Sequence, residues 1–432
     1  MGSCRVTVVG AGYVGLTSAT CLARLGHRVV CVDNDTAKVA SLCEGRVPFY
    51  EPDLDKLLRE GLASERLRVT TALPEAVRDA DLVLLCVPTP MGDDGGADLG
   101  AVRTVLAKMR TSLPSGCVVV TKSTVPVGTS HRIRELLRRP DVSVASNPEF
   151  LREGTAVRDF FSPDRIVIGV DDPHARDRLS ELYEAIPAPR VWTDPVSAEL
   201  TKYAANAMLA LRVSYANVLA ELCEKVGADI RDVIEAMGYD ERIGPAFLRP
   251  GPGWGGSCLP KDAHELVRAA ASVGVDAGMV REALAINDRQ ARRVVARTRR
   301  LATGSADGSL RGVRVGLLGL AFKAGTDDLR DSPALTVARL LGEDGADLTA
   351  YDPGVRAERA DVVPAVVVDD PYRVAKGASV LVVLTEWPEF QHLDWGRLAD
   401  LMVRPVVLDT RNHLPADDVR AAGLEWHGLG IG

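Results

Sequence analysis

No run of apolar residues in the 432-residue chain approaches the roughly 18 that cross a bilayer as a helix, so no membrane span is expected. The opening MGSCRVTVVG lacks the basic stretch and long apolar run of a secretory signal. It begins Met-Gly, but position six is Val6 rather than the Ser or Thr of a myristoylation start. The eight cysteines (Cys4, Cys21, Cys31, Cys43, Cys86, Cys117, Cys223 and Cys258) form no CxxC and no His pairing at metal spacing, so no metal site is expected. In a reducing compartment most should be small core residues, and any exception needs a local reason. A net charge of −7 offers no broad basic surface for nucleic acid. Together these absences point to a cytoplasmic protein with neither membrane nor nucleic acid as partner.

What is present is ordinary for a globular chain, with 46% hydrophobic and 26% charged residues. At roughly 100–200 residues per domain, the length predicts two or three domains. Short apolar runs at 5–10 (RVTVVG), 28–33 (RVVCVD), 82–87, 117–121 and 165–170 alternate with helical stretches, which predicts a parallel sheet covered on both faces. From Ser197 to Val226 the chain contains no Gly or Pro and reads as one long helix. A second helix is expected from about Asp229 to Met237, a Gly/Pro-rich loop over 244–257, and more helix from about Pro260 to Leu301. TGSADGSLRG, residues 303–312, is a linker candidate. Strands are expected again at 313–320, 346–352, 379–385 and 404–410. The predicted architecture is α/β: two Rossmann-like doubly wound domains, over 1–195 and 312–432, joined by an all-helical middle domain over 196–302 that contains the long connecting helix.

Gly10, Gly12 and Gly15 form G-x-G-x-x-G directly after the first strand. Their roles would be the tight turn, close approach of a pyrophosphate and close helix packing, with the helix N-terminus facing the phosphates. Asp33 ends the second strand, 23 residues after Gly10. Its carboxylate would bind the adenosine ribose and repel a 2′-phosphate, favouring NAD over NADP. Lys38 would lie beside the ribose or the phosphates. FAD is the alternative, but no second flavin signature is present.

Cys258 lies in PGPGWGGSCLPKD, where glycines allow a ligand or another chain segment to come close. If a helix starts at Pro260, Cys258 stands just before its N-terminus, where free amides favour a thiolate. Lys261 adds positive charge, and Asp262 follows about one helical turn after the thiol. Lys202 and Asn206 are spaced i, i+4 on the long helix among small alanines, so an ammonium and an amide could serve one oxyanion. On spacing alone, a solvated Lys beside an Asn fits as well. Asn147 to Glu153 is a dense polar and apolar segment that also reads as an ordinary surface loop. Thr124 closes a strand at the end where ligands sit in such sheets.

Taken together, VVGAGYVG, STVPVG, NPEFLREG, ELTKYAANA, RIGPAFLRPGPGWGGSCLPKD and GLAFKAGTDDLRDSP resemble the UDP-glucose/GDP-mannose dehydrogenase family over nearly the whole chain. The resemblance implies an NAD-dependent four-electron oxidation of a nucleotide-sugar C6 alcohol to a carboxylate. Cys258 would be the nucleophile, forming a thiohemiacetal and then a thioester. Lys202, Asn206 and Asp262 would handle oxyanion, water and proton, and either Glu149 or Asp262 would position the water that hydrolyses the thioester. Thr124 and Glu153 would lie at the join of cofactor and substrate. Tyr13, Val14, Thr89, Lys261 and Arg330 would serve the cofactor. Glu149, Phe150, Leu151, Arg152 and Glu153, together with Phe247, Leu248, Arg249, Pro250, Gly251, Gly255, Phe322 and Lys323, would contact the nucleotide sugar. Arg411 is a weaker substrate candidate. Arg242 is similar to a family arginine that reaches into a partner's site, so a homodimer or higher homo-oligomer is expected.

Two features depart from the pattern: Trp254 stands before Gly-Gly, and LPKD replaces FPKD, the leucine form also resembling GDP-mannose enzymes. RIGPAFLRPG and FSPDRIVIG favour the UDP-glucose branch instead, and TDP-glucose differs from that substrate by one methyl group, which discriminates weakly. A two-electron hydroxyacid dehydrogenase needs no nucleophilic cysteine and leaves 313–432 without purpose. A non-catalytic nucleotide-sugar sensor predicts loss of Cys258, Lys202 or Asp262, and all are present.

Overall fold

The computed structural model describes residues 2–92, 96–355 and 362–431. The chain divides into two compact units, Met1–Ala205 with Arg268–Val273, and Asn206–Val267 with Gly274–Gly432.

The first unit carries an eight-stranded sheet of β1 (Arg5–Val9), β2 (Arg28–Val32), β3 (Leu67–Thr70), β4 (Leu82–Leu85), β5 (Val118–Thr121), β6 (Ser143–Ser146), β7 (Ile166–Gly169) and β8 (Arg190–Thr193), in the order β3-β2-β1-β4-β5-β6-β7-β8. The period of two along each strand splits the apolar side chains between two cores. Val8, Leu82, Leu84, Val118 and Val120 join one core with Leu16 and Leu22 of the helix Tyr13–Arg24. Val9, Val83, Leu85 and Val119 join the other with Leu106 and Met109 of the helix Gly100–Met109. Helices cover both faces, so the strands read as near-continuous apolar runs, as expected for a buried parallel sheet. The one departure from parallel pairing is the β6–β7 junction, which is antiparallel with Ser146 opposite Gly169 as its single register pair.

The second unit carries a six-stranded parallel sheet of β9 (Arg314–Leu318), β10 (Asp347–Tyr351), β11 (Val366–Val367), β12 (Val380–Val383), β13 (Val406–Asp409) and β14 (Glu425–Gly428), in the order β11-β10-β9-β12-β13-β14. It repeats the Rossmann order. Its first turn also repeats the logic of the first unit: Gly319, at φ +98°, donates to the Tyr351 carbonyl at 2.8 Å, just as Gly10, at φ +101°, donates to Val32 at 2.7 Å.

The long helix runs Pro195–Val226, and its residues from Asn206 onward cluster with the second unit. It stops where Gly227 turns left-handed at φ +74°, as helix C-termini commonly do. The next helix, Ile230–Gly238, starts where the Asp229 carboxylate accepts from the Arg231 amide. The helix expected from about Pro260 to Leu301 falls into two, Leu259–Ser272 and Gly278–Thr303. Gly274, at φ +75°, lies in the five-residue gap, 273–277, that separates them. In the sequence SVGVDAG that glycine is the signal for a helix stop.

Candidate active site

In the first unit, the glycine turn separates packing from access. A Cβ on Gly15 would stand 1.8 Å from the Gly10 carbonyl oxygen, and one on Gly10 would stand 2.6 Å from the Cys86 carbonyl oxygen. Packing therefore requires both glycines. A Cβ on Gly12 would meet nothing within 4 Å, so protein packing does not require glycine there, and the exposed backbone at the helix start is open to a ligand's close approach. This turn lies between β1 and β4, where the strand order reverses, the position at which open α/β sheets bind ligands. Asp33 Oδ2 accepts from the Ala11 amide at 2.8 Å and from Lys38 Nζ at 3.0 Å, while Oδ1 accepts from the Asp35 amide at 3.0 Å. Burial pushes its pKa up, but these hydrogen bonds outweigh burial and hold it below the usual carboxylate range. A fixed anion at this point suits ribose hydroxyls and opposes a 2′-phosphate. Val14 packs against the core at the start of the same helix.

Tyr13 ties this turn to the 147–155 segment, whose end Glu51 also holds. The Gly154 amide donates to the Tyr13 hydroxyl and to Glu51 Oε2, both at 2.7 Å, and Glu51 Oε1 accepts from the Ala156 amide at 2.7 Å. At the ends of β4 and β5, Thr89 Oγ1 donates to the Thr124 carbonyl at 2.8 Å. The Glu199 carboxylate, from the long helix, accepts from the Gly128 and Ser130 amides at 2.6 and 2.8 Å. It thereby fixes the loop that carries Thr124 at the start of the helix Thr129–Leu137. Burial raises the pKa of Glu199 despite those bonds.

Glu149 and Lys202 form a buried ion pair at 3.2 Å, and the second Glu149 oxygen accepts from the Leu151 amide at 2.6 Å. The Lys202 ammonium also lies 5.2 Å from the centre of the Phe150 ring, and the Arg165 guanidinium stacks on the same ring at 3.7 Å. Arg152, by contrast, is bound to Asp159 through both Nε and Nη2, at 2.9 and 2.6 Å. Glu153 is half-buried beside it.

In the second unit, Cys258 is exposed and immediately precedes the helix Leu259–Ser272, as expected of a thiol at a helix N-terminus. Its carbonyl accepts from the Asp262 amide at 2.9 Å. The Asp262 side chain is fully buried, with Asn206 Nδ2 on one oxygen at 2.6 Å and Lys261 Nζ on the other at 2.7 Å. Lys202 and Asn206 are thus each engaged with a carboxylate, one in each unit, rather than standing as solvated neighbours.

The glycines before Cys258 are there because another segment comes close. A Cβ on Gly255 would stand 1.9 Å from the Asp331 carbonyl oxygen, one on Gly256 would stand 2.8 Å from the Phe322 ring, and one on Gly251 would stand 2.8 Å from the Arg411 guanidinium. The departure at Trp254 has a local reason: its indole donates to Ser214 Oγ at 2.8 Å, and its backbone is held on both sides by Asn287 at 2.8 and 2.9 Å. Arg411 donates to the Leu384 carbonyl at 2.9 Å and pairs with Glu386 at 3.1 Å. Phe247 adopts φ +59° and is exposed, Leu248 and Pro250 are buried, and Arg249 is exposed. Lys323 is half-buried, with its ammonium 3.4 Å from the Ala324 carbonyl oxygen. Arg330 is on Asp328 at 2.6 Å and Arg242 on Asp240 at 2.6 Å, both at the surface.

Several supporting residues carry no sequence signal. Glu51 and Glu199 bond backbone amides far away in sequence. Arg212 holds the Ile243, Gly244 and Ala246 carbonyls at 2.7–2.8 Å, and Asn217 with Gln290 clamps the Gly251 backbone. Lys122 directly precedes the STVPVG motif and could have been singled out on that ground.

In the first unit, a glycine turn at the sheet's reversal point with a fixed carboxylate at the end of the second strand is the arrangement of a dinucleotide-binding domain; in the second, a cysteine thiol stands at a helix N-terminus. The chain belongs to the UDP-glucose/GDP-mannose dehydrogenase family: family models match its NAD binding domain over residues 4–187, its central domain over 196–289 and its UDP binding domain over 316–416. It is 44% identical to the UDP-glucose 6-dehydrogenase of Rhizobium meliloti, covering 99% of each chain. Among solved structures it is similar to a UDP-glucose dehydrogenase from Pyrobaculum islandicum, with TM-score 0.90 and 37% identity over 100% of this chain and 98% of that one. It is also similar to a UDP-D-ManNAc dehydrogenase from Pyrococcus horikoshii, with TM-score 0.89 and 28% identity over 99% of each. The protein is an NAD-dependent dehydrogenase. No helix among the described residues is long and apolar enough to cross a membrane.

Proposed function

We propose that the protein oxidises UDP-glucose to UDP-glucuronate in two two-electron steps. The observation that carries this reading is Cys258 at the start of a helix, with the buried Asp262–Asn206 pair one turn on. The Gly10–Gly15 turn and Asp33 would hold NAD, which when bound would supply the hydride acceptor for each oxidation. Asp262 takes the C6 hydroxyl proton, directly or through water. Cys258 attacks the resulting aldehyde and keeps it bound as a thiohemiacetal. Lys202 and Asn206 stabilise the oxyanion, an ammonium and a side-chain amide being its donors. After the second oxidation Glu149 activates the water that hydrolyses the thioester.

Residues 1–195 would serve the cofactor, 196–302 dimerisation and 312–432 the nucleotide sugar. Thr124 and Glu153 would stand where cofactor and substrate meet, with Lys261 and Arg330 on the cofactor. Phe247 to Gly251, Gly255, Phe322 and Lys323 would contact the nucleotide sugar, as would Arg411. A dimer is supported by the exposed stripe of Met208, Tyr215, Val218, Leu222 and Val226 along one face of the long helix. Arg242, exposed at the surface, would reach a partner's site. The cytosol is the compartment that suits the chain's free thiols.

The fold does not discriminate between sugars, because the UDP-glucose and UDP-D-ManNAc enzymes superpose about equally well. The higher identity to the UDP-glucose enzymes favours the first. NADH formation with UDP-glucose, TDP-glucose, GDP-mannose and UDP-N-acetylmannosamine tests this. UDP-glucose should show the highest kcat/KM, and a higher value for any other sugar refutes the assignment.

A further inference from the structure

Glu149 follows β6, and β6 joins its neighbour β7 through a single antiparallel register pair. A proton acceptor needs a fixed position, yet this one leaves the sheet at a sparsely paired junction. Backbone pairing there is supplemented by a buried side-chain cluster. The Asn147 amide nitrogen donates to the Val167 carbonyl of β7 at 2.8 Å, bridging the two strands. Its Oδ1 accepts from the Tyr183 hydroxyl at 2.5 Å and from Lys122 Nζ at 3.2 Å. Its own backbone amide donates to Thr121 of β5 at 2.9 Å. Asn147 is therefore pinned to strands on both sides, two residues before Glu149.

Lys122 is the costly member of this cluster. It is 5% exposed, and among the described residues no carboxylate lies within ion-pair distance of its ammonium. Burying a charge without a counter-charge is expensive, and an apolar residue would fill the space at lower cost. Lys122, Asn147, Tyr183 and Glu149 all line one cavity of about 80 Å³. Phe150 and Arg165, whose guanidinium stacks on that ring, line it too.

We propose that Lys122 is a positioning residue that, through Asn147, sets the Glu149 carboxylate for hydrolysis of the thioester on Cys258. The inference rests on the proposed role of Glu149. In that step water adds to the thioester carbonyl, the C–S bond breaks, Cys258 leaves as thiolate, and Glu149 takes the proton from water. The step consumes no oxidant, so a misplaced Glu149 slows it without slowing either preceding oxidation.

Lys122→Met tests this by rapid-mixing measurement of NADH alongside mass spectrometry of the intact protein, with UDP-glucose and NAD. The expected result is a burst approaching two NADH per site followed by a steady rate at least about tenfold below that of the unaltered protein. kcat/KM for either substrate should change less than about threefold, because hydrolysis follows both oxidations and KM falls together with kcat when the adduct accumulates. A covalent adduct should accumulate that is absent when Cys258 is also replaced by Ala. Lys122→Gln, which keeps a donor, should recover part of the rate. A slow rate without adduct, or an unchanged rate, overturns the proposal. If Lys122→Met does not fold, Tyr183→Phe decides: it removes the other donor onto Asn147 Oδ1 and must also accumulate adduct. Failure of the unaltered protein to oxidise UDP-glucose would overturn the functional reading instead, and so is distinguishable.

Discussion

Replacing Gly12 by alanine adds a methyl group where no protein atom stands within 4 Å, at a residue whose backbone (φ −78°, ψ −170°) is extended and open to any side chain. Two small terms oppose each other. Alanine restricts the unfolded chain, which stabilises by about 0.4–1 kcal/mol. Glycine is also the better helix N-cap, and losing it costs a similar amount. The net change should be under about 0.5 kcal/mol, a shift of about 1–2 °C in Tm for a domain of this size. If the turn holds the pyrophosphate as proposed, the added methyl would obstruct its approach, so NAD affinity should fall at least about tenfold, or ~1.4 kcal/mol. Gly15→Ala makes the opposite case. Its Cβ would stand 1.8 Å from the Gly10 carbonyl oxygen, so the helix must shift. Overpacking of that kind costs about 1–3 kcal/mol, or a Tm lower by roughly 3–10 °C. Thermal melts of both variants, paired with calorimetric titration of NAD, separate the two effects. Wild-type NAD affinity in Gly12→Ala, or a Tm loss equal to that of Gly15→Ala, would refute the reasoning.

Asp33→Ser removes the anion that opposes a 2′-phosphate and releases Lys38 from its 3.0 Å pairing, so the ratio of kcat/KM for NADP over NAD should rise at least about tenfold in steady-state assays. His27 is buried between the Cys4 amide, which donates to Nδ1 at 3.2 Å, and the Leu182 carbonyl, 3.0 Å from Nε2. Burial lowers its pKa below the ordinary 6.5, partly offset by the bond to Leu182 and the charge of Glu181. The neutral ring's contribution is therefore fully present above about pH 6.5 and is lost as pH falls through the folded value, because the unfolded chain takes up the proton first. Urea midpoints should fall between pH 7 and pH 5, with a shallower slope in His27→Gln. Leu222→Glu places a charge in the exposed apolar stripe, and sedimentation should show a shift from dimer to monomer at micromolar concentration.

The sheets were legible because their strands are buried on both faces, which leaves short apolar runs such as LVLLCV that few other structures produce. Gly10, Gly15 and Asp33 were legible for the same local reason: a turn, a close approach and a strand end each restrict residue type within a few positions. The break after Ser272 was missed even though Gly274 marked it, because apolar periodicity resumes on both sides. The glycines before Cys258 announced a close approach, but not by what. The approaching segments, Phe322–Asp331 and Arg411, lie far along the chain, and spacing carries no information about such contacts. Lys202 and Asn206 showed their shared face but not their carboxylates, Glu149 and Asp262, for the same reason. Long-range supports such as Glu51 and Glu199, which bond backbone amides, leave no pattern around themselves at all.

The central claim is a four-electron oxidation carried through a cysteine thioester. Its most direct test is the yield of NADH per UDP-glucose with NAD in excess, run to completion. The account predicts two NADH per sugar with the unaltered protein, and no more than one when Cys258 is replaced by alanine, because the first hydride transfer does not use the thiol. One NADH per sugar with the unaltered protein, or two that survive Cys258→Ala, would contradict it.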